Sequence, residues 1–302
     1  MNDMCGIVGL FLKNTASQPR LGGLLAGMLA QMTERGPDSA GFAIYGDAAP
    51  AGAYKATLFH PDPAFDWDAL GSRLDDAFGL ATAPERRGSH CVVAVRAEAE
   101  TLRAWLAGFY PELRPMGFGE RIEIFKEKGL PDEVIASFDL AAMGGSHALG
   151  HTRMATESAV TTEHSHPFST GVDLCLVHNG SLSNHNRLRQ NLRKRGIHFS
   201  TDNDSEVAAG YLSWRMSEGA TLKEALEAAL KDLDGFYTFA VGTRDGFAIL
   251  RDPIACKPAV MGETDDWVAM ATEYRAIATL PGADEATIWE PRAATVYSWE
   301  RQ

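Results

Sequence analysis

Cys5-Gly6-Ile7-Val8-Gly9-Leu10-Phe11-Leu12 is an unbroken apolar run that ends at Lys13-Asn14. It is too short for a buried helix and rich in branched side chains, so it reads as a buried strand with a thiol at its start. Outward from it, Arg20 to Glu34 spaces Leu21, Leu24, Leu25, Met28, Leu29 and Met32 at three- and four-residue intervals, the pattern of an amphipathic helix. Pro37 in Arg35-Gly36-Pro37 forbids its continuation. Ser39 to Tyr45 reads as a second strand.

Residues 46 to 143 differ in kind and read as a segment inserted into a single domain covering 1–302. The segment holds a loop rich in Asp, Pro and Ala, expected strands at Cys91–Val95 and Arg121–Phe125, and expected helices at Glu98–Phe109 and Asp132–Phe138. Beyond it, strands are expected to end at Arg153 and to span Leu174–Val177, with helices at His185–Arg195, Ser205–Glu218 and Leu222–Leu233. Phe236 to Leu250 alternates in period two around Asp245-Gly246, a hairpin signal of the two-residue kind. Short strands at Trp267–Ala271 and Ala294–Ser298 finish the chain. Antiparallel strands with grouped helices imply an α+β fold built sheet on sheet.

Hydrophobic residues make up 45% and charged residues 23% of the 302 positions, the balance of a soluble globular chain. No apolar run has membrane length, and no basic leader precedes a long apolar segment, so the chain is expected to be cytoplasmic with no membrane partner. Its net charge of −12, with one basic stretch at Arg187–Arg195 that reads as a solvated helix face, argues against nucleic acid. Cys5, Cys91, Cys175 and Cys256 are widely spaced and form no CxxC pair, so no metal site is expected.

A lone cysteine opening a strand is more often a buried structural thiol than a nucleophile. Its company changes that balance. Cys5-Gly6-Ile7-Val8-Gly9, Arg35-Gly36-Pro37-Asp38-Ser39-Ala40-Gly41, Gly150-His151-Thr152-Arg153-Met154-Ala155-Thr156, His166-Pro167-Phe168, His178-Asn179-Gly180 and Asp204-Ser205-Glu206 follow one another in the order found in class II glutamine amidotransferases. Leu233-Asp234-Gly235-Phe236 and Arg251-Asp252-Pro253 extend the match. The chain therefore resembles that family of N-terminal-nucleophile hydrolases outside residues 46 to 143. The resemblance implies a four-layer αββα sandwich.

It also implies a set of roles. Cys5 attacks the side-chain amide of glutamine, giving a γ-glutamyl thioester and ammonia, and water then releases glutamate. A thiol near its ordinary pKa of about 8.5 needs a base, and the resemblance supplies the α-amine of the nucleophile itself, with a pKa of about 8. Asn179 and Gly180 correspond to the oxyanion donors, worth about 3 kcal/mol each in such sites. Read alone, Asn179-Gly180 is also a hairpin-turn dipeptide. Arg153 corresponds to the α-carboxylate ligand, for which a planar guanidinium is suited. Asp204 corresponds to the acceptor of the α-ammonium, and it could equally cap the helix that follows. Arg35 is expected to order the nucleophile's surroundings and Thr156 to shape the pocket. His151 and His178 have no proton-transfer duty in this scheme and read as structural.

Two departures stand out. Met154 occupies a position where many relatives carry an aromatic residue, and Met1-Asn2-Asp3-Met4 precede Cys5. An amide nitrogen is not a base, so activity requires that these four residues be absent from the mature chain. The tail after Pro253 is too short for an ammonia-using domain, and the Phe125-Lys126-Glu127-Lys128-Gly129 and Phe138-Asp139-Leu140 stretches resemble the glutamate-synthase branch, nearest the amidotransferase subunit of N-methylglutamate synthase. That likeness implies a flavin-bearing synthase subunit as partner, with FMN and an iron–sulfur cluster held by partner subunits and no cofactor here. A catalytically silent structural subunit and a standalone γ-glutamyl hydrolase are the rival readings.

Overall fold

A computed structural model describes residues 5–154 and 160–301. The opening run forms β1 (Gly6–Leu12), followed by α1 (Leu21–Ala30) and β2 (Ser39–Tyr45). The helix stops short of Glu34 because the Thr33 hydroxyl donates to Ala30 O at 2.8 Å, and the chain then tightens into a 3₁₀ turn over Thr33–Arg35. The chain next makes β3 (Tyr54–Phe59), α2 (Trp67–Phe78), β4 (Leu80–Arg87), β5 (His90–Val95), α3 (Ala99–Phe109) and β6 (Arg114–Gly119). It continues as β7 (Ile122–Lys128), α4 (Pro131–Ser137) and β8 (His147–Arg153). The second half supplies β9 (Cys175–Leu182), α5 (His185–Arg193), α6 (Asp204–Ser217), α7 (Leu222–Asp232), β10 (Gly235–Thr243) and β11 (Gly246–Arg251). Last come β12 (Val260–Glu263), β13 (Trp267–Ala271), α8 (Tyr274–Ile277), β14 (Thr287–Trp289) and β15 (Thr295–Glu300).

Among the described residues these strands form three sheets. One runs β14-β12-β13-β1-β8-β2-β7, a second β15-β11-β10-β9, and a third β4-β5-β3-β6. The first two lie face to face. Ile7, Phe11, Leu149, Val177, Ala240, Phe247, Ile249 and Met270 interdigitate between them. Val8, Leu10 and Phe42 on the outer face of the first sheet pack under Leu25, Leu29, Val134 and Ile277 of the helices α1, α4 and α8. Leu176, Phe239, Val241 and Leu250 on the outer face of the second pack under Val207, Leu212 and Leu226 of α6 and α7. This is the αββα sandwich of the N-terminal-nucleophile hydrolases. It explains why β1 is apolar at every position: both of its faces are covered, so the alternation of a half-solvated strand is absent.

The segment 46–143 divides in two. Tyr54 to Gly119 forms the third sheet, whose own core of Leu58, Leu70, Leu74, Val93, Leu102 and Phe118 is shared with α2 and α3. β7 and α4 instead belong to the sandwich. Ser39 to Tyr45 pair with Lys128 to Ile122, and β7 places Ile122 and Ile124 between the sheets and Phe125 beneath the helices. The hairpin also differs by one residue from the sequence expectation. Thr243 pairs with Gly246, so Arg244 and Asp245 form the turn. Gly246 is needed for a different reason: a Cβ there would lie 2.0 Å from the carbonyl oxygen of Trp299 on β15. Among the described residues no helix is long and apolar enough to cross a membrane.

Among the described residues, His90, His147, His151, His166 and His178 are buried without charge. Burial pushes His90, His147 and His151 down to about 3, and His166 well below its usual range. Because the folded state disfavours the protonated ring, their contribution is fully present above about pH 6.5 and is lost as pH falls towards 3, at no more than about 1.4 kcal/mol per histidine per pH unit. Urea unfolding followed by circular dichroism should give a constant midpoint from pH 7 to 8 and a steep fall from pH 6 to 4.5. A midpoint that stays level down to pH 4.5 would contradict this assignment.

Candidate functional site

The register of β1 fixes where its thiol lies. Gly6 pairs with Thr152 across the β1–β8 ladder, so Cys5, one step further, stands opposite Arg153, which itself pairs with Ser39 on β2. Arg153 is buried. On the second sheet, β9 ends alongside β10, with Asn179 opposite Thr238 and Gly180 opposite Tyr237. The two sheets meet here: Asn179 Nδ2 donates to the carbonyl oxygen of Cys5 at 3.1 Å. An amide nitrogen carries two protons, so one remains for another acceptor.

Gly180 cannot be another residue. Its φ is +146°, and a Cβ would lie 1.9 Å from Phe236 O and 2.9 Å from His178 Nε2. The dipeptide is thus a strand segment under β10 and not a hairpin turn.

Burial pushes the half-buried Cys5 thiol up from its usual range; the Met154 backbone N–H and the positive charges of Arg153 and Lys257 pull it down. The other cysteines differ. Cys91 and Cys175 are buried and pushed up to about 12 by desolvation, whereas Cys256 is exposed.

Asp204 is the first residue of α6, and the capping role falls to Asn203, whose Oδ1 accepts from Ser205 N at 2.8 Å. Asp204 Oδ2 accepts from Leu182 N at 2.8 Å, and Oδ1 lies 3.8 Å from His178 Nδ1. Arg35 is held away from solvent by a 2.7 Å ion pair with Glu273, which also binds Arg275. Its Nε and Nη2 have no hydrogen-bond partner among the described residues. Three residues further on, Asp38 N donates to Arg153 O at 3.1 Å. Thr156 lies outside the described residues, as do residues 1–4.

Behind Asn179 the structure assembles groups that sequence reading did not combine. The Ser205 hydroxyl lies 2.9 Å from both His166 Nε2 and His178 Nδ1. With both rings neutral, the hydroxyl donates to one nitrogen while the other ring donates to it. His151 stacks on His166 at 3.9 Å between centroids, and its Nε2 donates to His178 O at 3.1 Å. That bond holds the β9 backbone one residue before Asn179. Lys126 of β7 anchors the segment bearing His166, donating to Glu163 O, Ser165 O and Pro167 O at 3.1, 2.8 and 3.2 Å. Burial brings its ammonium down to about 8. His166-Pro167-Phe168 and Asp204-Ser205-Glu206 were visible as motifs, but nothing in their spacing told that they share a hydrogen bond. Lys257 lies just beyond the Arg251-Asp252-Pro253 block and carried no signal.

A family model for the glutamine amidotransferase domain matches residues 151–279. The chain is 56% identical over 300 residues, 99% of each chain, to the glutamine amidotransferase-like protein GlxB of Rhizobium meliloti (strain 1021). This chain belongs to the glutamine amidotransferase family. It is of class II, with the N-terminal-nucleophile fold, and is a glutamine amidotransferase. An amidophosphoribosyltransferase of Archaeoglobus fulgidus is 31% identical over 186 residues, covering 61% of this chain and 41% of that protein. The solved glutamine phosphoribosylpyrophosphate amidotransferase from B. subtilis aligns with 98% of this chain at a TM-score of 0.61 and 21% identity, and the chain spans 49% of its length. That likeness bears on fold alone.

The thiol environments predict an order of labelling. With iodoacetamide at pH 7.5, Cys256 should react first and Cys5 more slowly, while Cys91 and Cys175 stay unmodified until the chain is unfolded. Peptide-resolved mass spectrometry reads the order; early labelling of Cys175 would refute this picture of the core.

Proposed function

We propose that this chain hydrolyses glutamine to glutamate and ammonia with Cys5 as nucleophile. The observation that carries the reading is the meeting of Cys5, Arg153, Asn179 and Gly180 at one end of two packed sheets, with Asn179 bonded to the residue that bears the thiol.

Cys5 Sγ attacks the side-chain carbonyl carbon while the thiol proton passes to the Cys5 α-amine. The carbonyl electron pair moves onto oxygen, where the free Nδ2 proton of Asn179 and the Gly180 N–H receive it. Collapse breaks the C–N bond, the amine returns its proton to the leaving nitrogen, and ammonia departs. Water then cleaves the thioester, restoring the thiol and releasing glutamate. Arg153 holds the α-carboxylate and Asp204 the α-ammonium, with Arg35 steadying the end of β8 and Thr156 shaping the pocket. The base is an α-amine, so the working chain begins at Cys5 and residues 1–4 are absent from it.

Cys5→Ala should abolish glutamine hydrolysis without changing the far-UV spectrum. Arg153→Ala should raise KM at least tenfold with a smaller change in kcat, since it removes binding shared by the ground and transition states. Turnover surviving in Cys5→Ala removes the nucleophile assignment, and N-terminal sequencing of the active material should begin at Cys5.

The ammonia is then passed to a synthase. We place the chain as the glutaminase subunit of a glutamate-synthase-like complex of the N-methylglutamate synthase type, with a flavin-bearing partner holding the synthase site. The support is the likeness of its 125–140 segment to that branch. Affinity purification of the chain from its own cells should bring down a flavoprotein in fixed stoichiometry, visible by its absorbance near 450 nm. Recovery of the chain alone, fully active, would favour a standalone hydrolase.

A further inference from the structure

The loop after β11 is a built platform. Arg251 donates from Nη2 to Ala255 O at 2.8 Å and Lys257 O at 2.9 Å, from Nε to Lys257 O at 3.2 Å, and from Nη1 to Pro291 O at 3.1 Å. The Asp252 carboxylate, itself fully buried, accepts from Ile254 N at 2.9 Å and Ala255 N at 3.2 Å. These bonds hold Ala255 at a φ of +52°, a conformation that a side chain disfavours. The anchored loop carries Lys257, whose own carbonyl oxygen is one of the atoms Arg251 holds.

Lys257 Nζ sits 5.2 Å from the centre of the Phe236 ring. Along β10, Tyr237 and Phe239 face the helices while Ala240 faces the first sheet, so by alternation Phe236 stands on the inner face, paired with Ser181 beside Asn179, and the ammonium over its ring lies on the face of the second sheet that carries the oxyanion donors. Its charge acts on Cys5 together with that of Arg153, and on His178 as well. From the surrounding elements, β8 contributes Arg153, β9 contributes the neutral His178, and α6 contributes Asp204, which acts on His178 in the opposite sense. The two charges bearing on the thiol are both positive.

We propose that Lys257 is a charge-setting residue of the Cys5 site: its ammonium stabilises negative charge on Sγ and on the tetrahedral oxyanion and disfavours protonation of the Cys5 α-amine. A nearby cation lowers the pKa of both a thiol and an amine. The two effects work together, because the nucleophile needs a base that is unprotonated at neutral pH and an acid that gives up its proton there. Lys257 transfers no proton in this scheme and acts through its charge alone. The proposal rests on the reading of Cys5 as the nucleophile.

The test compares Lys257→Met and Lys257→Arg with the parent chain, all carrying Cys256→Ser because the exposed Cys256 would otherwise take the label. Cys5 alkylation by iodoacetamide is followed from pH 5 to 10 by mass spectrometry of its peptide, and glutamine kcat and KM are measured alongside. Lys257→Met should slow Cys5 alkylation at pH 7 about five- to tenfold, moving its midpoint up by most of a pH unit. It should lower kcat with KM within about twofold, while Lys257→Arg stays within about twofold of the parent. A Lys257→Met profile that superimposes on the parent overturns the proposal, as does a Lys257→Arg chain no better than Lys257→Met. If no chain hydrolyses glutamine but the alkylation shift appears, the glutaminase reading falls and the electrostatic one stands.

Discussion

β1 lies between β13 and β8, with Val8 to Leu12 paired to Ala271 to Trp267 on one side and Gly6 to Phe11 paired to Thr152 to His147 on the other. Both of its faces are buried, Ile7 and Phe11 against the second sheet and Val8 and Leu10 against the helices. A slip of one residue would exchange the two sets, putting Gly6 where Ile7 packs and Gly9 where Leu10 packs, so the register is locked. The position of the thiol opposite Arg153 is a consequence of that lock. The placement of Cys5 therefore depends on the packing of one strand.

Around the thiol, opposing electrostatic effects of similar kind compete. Burial raises the cost of charge on Cys5, and it does the same to His151, His166 and His178, which stay neutral and serve as wedges and hydrogen-bond links. Cations that survive burial do so because backbone carbonyls or carboxylates meet them: Lys126 has three carbonyls and Arg35 has Glu273. The result is a set of positive charges on Lys126 and Arg35 held in place by the scaffold.

The sequence revealed much of this because its strongest patterns coincide with buried surfaces. Ser39–Tyr45 and Trp267–Ala271 form strands at the expected bounds because every residue in them is buried. The segment 46–143 was harder to read. β4 is mostly exposed and pairs irregularly with β5, so its sequence, Leu80 to Arg87, carries no alternation. β7 and α4 were grouped with the insertion because adjacency along the chain gives no sign of which sheet a strand joins. In the site, single residues could be placed by motif, whereas Ser205 between two histidines, Lys257 over Phe236 and Lys126 under the His166 segment depend on long-range closure. Asp204 illustrates the limit: cap and ligand were both open, and only the Asn203 hydrogen bond to Ser205 N removed the first.

The third sheet leaves the sandwich after Tyr45 and the chain rejoins it at Ile122, and those two residues are partners across the β2–β7 ladder. Topologically the whole stretch between them occupies the place of a hairpin turn. The loop-closure cost of spanning it grows only with the logarithm of its length, so lineages are free to enlarge, shrink or replace this module while the ladder closes in the same way. It lies outside the β1–β8–β9 meeting point that holds the thiol. A change of surface there leaves the strands that hold the thiol in place.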